Sequence, residues 1–86
     1  MVMKIKFENT TDKDWQLCIE PFAEYIDWGV GKLVEIELKL VTNQYDDDLS
    51  LALSENILVV YECRQYEMKI FIDRELKYYT PPDRYL

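Results

Sequence analysis

Glu20 and Glu24 stand four residues apart in CIEPFAEYIDW (18–28), with Phe22, Tyr25 and Trp28 between and beside them. Two carboxylates among aromatics are the raw material of a glycosidase-like acid–base pair. Such a pair needs its carboxyl groups about 5–5.5 Å apart for retention, or about 6.5–9.5 Å for inversion. On a continuous strand, residues four apart are separated by about 13 Å, at about 3.3 Å per residue. A helix over 21–28, with Pro21 at its first position and Gly29 past its end, would bring the two closer. The chain contains no histidine. That removes the usual general base near neutral pH, the Cys–His and Ser–His–Asp nucleophiles and most zinc sites. The expectation is therefore a protein that is not an enzyme, with no catalytic residues, no cofactor and no metal ligands.

A second acidic group, Asp46-Asp47-Asp48, invites a calcium reading. An EF-hand loop needs spaced ligands, a central glycine and a closing glutamate, and none of these is present. Three adjacent aspartates repel one another, so an arginine- or lysine-rich partner relieves that repulsion as well as pairing with them. The wider charge distribution points the same way. The net charge is −7, and the stretch from Glu20 to Asp48 holds Glu20, Glu24, Asp27, Glu35, Glu37 and the three aspartates against only Lys32 and Lys39. The remainder is close to balance. Such a field repels nucleic acid and anionic membrane and attracts a basic protein. Tyr25, Trp28 and Tyr45 lie in or beside this acidic stretch, and interface hot spots favour aromatics ringed by polar groups. Partner binding is accordingly expected at Glu20, Glu24, Tyr25, Asp27, Trp28, Glu35, Glu37, Tyr45, Asp46, Asp47 and Asp48.

The elements that must position these residues are strands. VMKIKFEN sets Met3, Ile5 and Phe7 against Lys4, Lys6 and Glu8; WQLCIE sets Trp15, Leu17 and Ile19 inward after the turn at 9–14, and the two runs suggest a hairpin. KLVEIELKLV places Glu35 and Glu37 together on the face opposite Val34, Ile36, Leu38 and Leu40. If open, that face would present a flat acidic surface. After a polar loop at 42–48, LSLALS alternates again, and NILVVYEC is a continuous run suited to a strand covered on both sides. YEMKIFI, a tight turn at DRE, a last strand LKYY and an extended TPPDRYL tail complete the chain. The fold class is all-β: one domain over 1–86, a small antiparallel β-sandwich or partly open barrel of about seven or eight short strands. An exposed edge strand would also allow a homodimer by sheet extension. Cys18 and Cys63 read as two reduced, partly buried thiols. No run approaches the roughly 18 apolar residues of a membrane span and the first residues do not resemble a signal peptide, so a cytoplasmic protein is expected.

The order of strand, polar turn, strand ending in IEP plus an aromatic, AEY, a VEIELKL strand and a later VVYE strand followed by a hairpin resembles a group of small bacterial β-sandwich proteins. The similarity runs from about Lys4 to Tyr79, with Phe22 where that group has tryptophan and DWGVG in place of a Pro-Gly turn. In size, charge and shape the chain also resembles immunity proteins of contact-dependent growth inhibition systems. That resemblance implies an inhibitor that neutralises a basic toxin nuclease, expected to be a ribonuclease, by covering its active-site cleft. Alternative readings are a non-catalytic assembly domain of a bacterial complex, or a small-molecule-binding domain.

Overall fold

The computed structural model describes residues 2–42 and 49–80. Within them the chain forms eight strands and no helix: β1 (Val2–Glu8), β2 (Trp15–Glu20), β3 (Glu24–Trp28), β4 (Leu33–Leu40), β5 (Ser50–Ser54), β6 (Ile57–Tyr61), β7 (Tyr66–Ile72) and β8 (Glu75–Thr80). They make two four-stranded sheets, one ordered β1-β4-β7-β8 and the other β3-β2-β6-β5. This is the expected sandwich, with one refinement. All strand pairs are antiparallel except β2–β6, which is parallel.

Alternation decides which side chains meet between the sheets. Register pairs Phe7 with Val34, Ile5 with Ile36 and Met3 with Leu38, and these rows continue to Ile72, Ile70 and Met68 on β7. From the second sheet, Leu17, Ile19, Trp28, Leu58 and Val60 meet them, and all five are buried. Each such aliphatic side chain contributes about 1.5–3 kcal/mol by leaving water. Tyr78 joins this core from β8. A bulge between Ile70 and Phe71, where Tyr78 and Leu76 are the successive partners, shifts the β8 register there.

The expected β1–β2 hairpin does not form. β1 pairs with β4 along its whole length, and residues 9–14 carry the chain across to the other sheet. Asn9 anchors that crossing. It is 3% exposed, and its amide nitrogen donates to the carbonyls of Lys13 (2.9 Å) and Trp28 (3.2 Å). Its side-chain oxygen accepts from the backbone N–H and the hydroxyl of Thr11. Every bond this buried amide needs is met locally, so the crossing costs no orphaned polar group. The Asn9 carbonyl also accepts from Gly31 N, and Gly31 takes φ 77°, a conformation that favours glycine.

Residues 21–28 are not helical. Pro21–Ala23 form a turn, with a cis Glu20–Pro21 peptide and Ala23 at φ 52°, and β3 follows at Glu24. The tight turn at Asp73–Arg74 is as expected. Both residues have positive φ, the signature of the two-residue turn whose twist suits a hairpin. Asp73 accepts from Leu33 N at 2.9 Å and pairs with Lys32 at 3.2 Å, tying this turn to the start of β4. The backbone bond from Leu33 and then the Lys32 ammonium hold the Asp73 carboxyl below its ordinary value.

Candidate functional site

Register separates the outer faces of the two sheets by charge. The strands of the first sheet carry five lysines (Lys4, Lys6, Lys39, Lys69, Lys77) and five glutamates (Glu8, Glu35, Glu37, Glu67, Glu75). They are interleaved: Glu37 lies between Lys4 and Lys69, and Glu35 lies beside Lys6. Cross-strand pairs of opposite charge are each worth roughly 0.2–1 kcal/mol. Lys69 also sits over the Tyr79 ring, 5.7 Å from its centroid. The face holding Glu35 and Glu37 is thus charge-balanced, not the flat acidic surface expected, because the lysines of β1 fall opposite these glutamates.

The strands of the second sheet contain Glu20, Glu24 and Asp27 and not one lysine or arginine. Three rows make its outer face. Asp27, Gln16, Ile57 and Ser54 lie side by side, then Tyr25, Cys18, Val59 and Ala52, then Glu20, Tyr61 and Ser50. The centre is uncharged and mostly small or aliphatic. Tyr25 and Tyr61 stand out from it at 58% and 43% exposure. Glu20 and Asp27 border it. The run NILVVYEC was expected to be covered on both sides, yet within β6 only Leu58 and Val60 are enclosed; Ile57 and Val59 are half-buried on this outer face.

Cys18 is nearly enclosed there, at 3% exposure, and its thiol points to Glu20 Oε1 at 3.5 Å. Burial pushes the thiol up from its usual value, and Glu20 adds to that, while the hydrogen bond with Tyr25 works against it. The same contact with Cys18 raises the Tyr25 hydroxyl. Cys18 is held as a thiol, the wrong state for a nucleophile. Cys63 is also buried, and no disulfide joins it to Cys18.

At the end of this face an open cleft of about 530 Å³ is lined by Asp14, Trp15, Gln16, Asp27, Glu55 and Asn56. Asp14 accepts from Val30 N at 3.1 Å and Asp27 accepts from the Gln16 amide at 3.1 Å. These bonds fix the two carboxylates along the cleft wall. Among the described residues, no group of three or more histidine, cysteine, aspartate or glutamate side chains is arranged to hold a metal ion. No helix there is long and apolar enough to cross a membrane.

The structure brings Glu20, Tyr25 and Asp27 onto one face. Glu24 stands opposite Ile19, so it belongs to the other face of the hairpin from Glu20, and the two carboxylates do not form a pair. Trp28 is core, not contact surface. It is 5% exposed, packs edge-on to Trp15 with centroids 6.0 Å apart, and donates its indole N–H to Lys32 O at 2.8 Å. Glu35 and Glu37 lie on the other sheet. Tyr45, Asp46, Asp47 and Asp48, and the tail from 81 onward, lie outside the described residues. Sequence reasoning did not single out Tyr61, Asp14 or Glu55, because their roles depend on the β2–β6 pairing and on which turns share an end. It also did not give Glu62 its place. The Glu62 carboxylate accepts from the hydroxyls of Tyr78 and Thr80, linking the end of β6 to β8 of the opposite sheet.

The chain matches no protein-family model, no curated protein and no solved structure.

Proposed function

We propose that the chain is a non-catalytic, acidic protein-binding domain whose second sheet engages a basic protein through its outer face. In the fuller form of this reading it is a cytoplasmic immunity protein. It would neutralise a toxin nuclease, a ribonuclease by preference, by covering the cationic cleft in which that enzyme holds its substrate. One observation carries the reading: the outer face of this sheet holds Glu20 and Asp27 and no base from its strands, on a chain of net charge −7. Tyr25 and Tyr61 supply rigid amphipathic anchors, Val59 and Ala52 the dry centre, and Glu20, Asp27 and the Asp14–Glu55 cleft the acidic border. That arrangement follows the anatomy of a hot-spot interface. A carboxylate border speeds encounter with a cationic partner, and buried aromatics slow its departure.

The test is co-purification with the product of the neighbouring gene, followed by an assay of whether that product's toxicity is neutralised. Association measured between low and physiological salt should slow as salt rises. An association rate indifferent to salt, or a neighbour that is neither bound nor neutralised, would remove the reading.

A further inference from the structure

Four strands lie at the edges of the two sheets, and three of them carry charge. β1 has Lys4, Lys6 and Glu8; β3 has Glu24 and Asp27; β8 has Glu75 and Lys77. Charged side chains on an edge keep its unpaired backbone groups from accepting another strand. Among the described residues, β5 has no such protection. Its sequence is Ser-Leu-Ala-Leu-Ser, uncharged and identical when read in either direction. Leu53 on this strand is 75% exposed, more than any other large hydrophobic residue among the described residues.

We propose that β5 pairs antiparallel with β5 of a second copy about a two-fold axis through Ala52, joining two four-stranded sheets into one of eight. A two-fold contact requires a surface complementary to itself, and this strand satisfies that residue by residue. Ser50 falls opposite Ser54 of the other copy, Leu51 opposite Leu53, and Ala52 opposite Ala52. The exposed Leu53 thereby gains an apolar neighbour, and the free backbone groups of the edge gain partners. Charge within the strands does not oppose this edge. Two copies at −7 repel one another, and β5 with β6 behind it is the one approach whose strands carry no charged side chain. The two Glu55 side chains fall at opposite ends of the pair, about 20 Å apart at about 3.3 Å per residue and well beyond the roughly 8 Å screening length. Tyr25 lies on β3, at the far edge of the same sheet, so the dimer leaves that strand free. The proposal is independent of the function proposed above.

Sedimentation of the full chain from about 1 µM to about 1 mM, the range in which weak contacts dissociate, should show a concentration-dependent dimer. A monomer throughout would overturn the proposal. Leu53→Lys should weaken the dimer by about tenfold or more, a charge left without a partner beside each of the two Leu51 side chains, with circular dichroism unchanged; a dimer indifferent to it would place the contact elsewhere. Register is tested with Ala52→Cys and Ser50→Cys under mild oxidation by diamide. Residues facing each other across an antiparallel pair have Cα atoms about 4.5–5.5 Å apart, within disulfide reach. The two copies of residue 50 would be about 13 Å apart along the strands. Covalent dimer from Ala52→Cys but not from Ser50→Cys is expected, and equal cross-linking of both would sink the register.

Discussion

On their inner faces the two sheets follow the same rule, with one buried row after another of leucine, isoleucine and valine. On their outer faces they follow opposite rules. The first sheet alternates lysine and glutamate across β1, β4 and β7, so each charge but Glu8, which faces Leu33, has a cross-strand neighbour of the other sign. The second offers tyrosine, valine, alanine and cysteine bordered by carboxylates that no strand lysine offsets. A sheet that neutralises itself suits solvent. One that leaves its acids unbalanced around an uncharged centre suits a partner. The difference supports the proposed binding face more specifically than net charge does, which averages the two.

The largest effects test whether the inner faces are equivalent. Leu17→Ala in the second sheet and Ile70→Ala in the first should each cost about 2–5 kcal/mol in urea or guanidinium unfolding. A cost much smaller on one side would show that the sheets do not share one core. Next comes the link between them: Glu62→Ala removes the acceptor shared by Tyr78 and Thr80 and should cost about 1–3 kcal/mol, seen as a lower unfolding midpoint.

The outer faces are distinguished by a pair of tyrosines. Tyr25→Ala should weaken partner binding about tenfold or more, as an interface aromatic does, with the melting temperature nearly unchanged. Tyr79→Ala, on the balanced face, should leave affinity as it was. Equal losses by calorimetry would erase the contrast. The smallest effect belongs to Asp73. Its carboxyl titrates lower folded than unfolded, so its stabilising contribution is complete above the ordinary aspartate value near 3.8 and fades as pH falls through the folded value. Asp73→Asn should therefore flatten the acid limb of the stability curve, measured by urea titration between pH 5 and pH 2.

Alternation, with the continuous apolar run at 56–63, recovers every strand but β3, since 21–28 reads as either strand or short helix. Met3, Ile5 and Phe7, or Val34, Ile36 and Leu38, state their inward face in the chain itself, because a strand has a period of two. Pairing was less legible. The β1–β2 hairpin looked natural from adjacency, but only the assembled structure shows that the six residues from Asn9 onward bridge two layers. Glu35 and Glu37 illustrate the same limit: their common face was readable, and the lysines opposite them were not, since that depends on β1 and β4 being neighbours. Trp28 was expected as a contact residue, and its packing on Trp15 together with its hydrogen bond to the Lys32 carbonyl places it in the core. Tyr25 and Asp27 were legible as candidates, but the uncharged centre they border is assembled from β5 and β6, at a distance in sequence.

The strand orders β1-β4-β7-β8 and β3-β2-β6-β5 have one more consequence. The connection between Thr42 and Leu49 divides both sheets at their midlines. The chain up to Thr42 supplies β1–β4 and β2–β3, and the chain from Leu49 supplies β5–β6 and β7–β8. The molecule is in this sense two half-sandwiches zipped along two seams, β4 against β7 and β2 against β6. Cleavage within that connection would leave each fragment a two-stranded portion of both layers, with complementary open edges. Such fragments are suited to reassemble on mixing, and both seams, neither templated by a local turn, would wait for the two halves to meet.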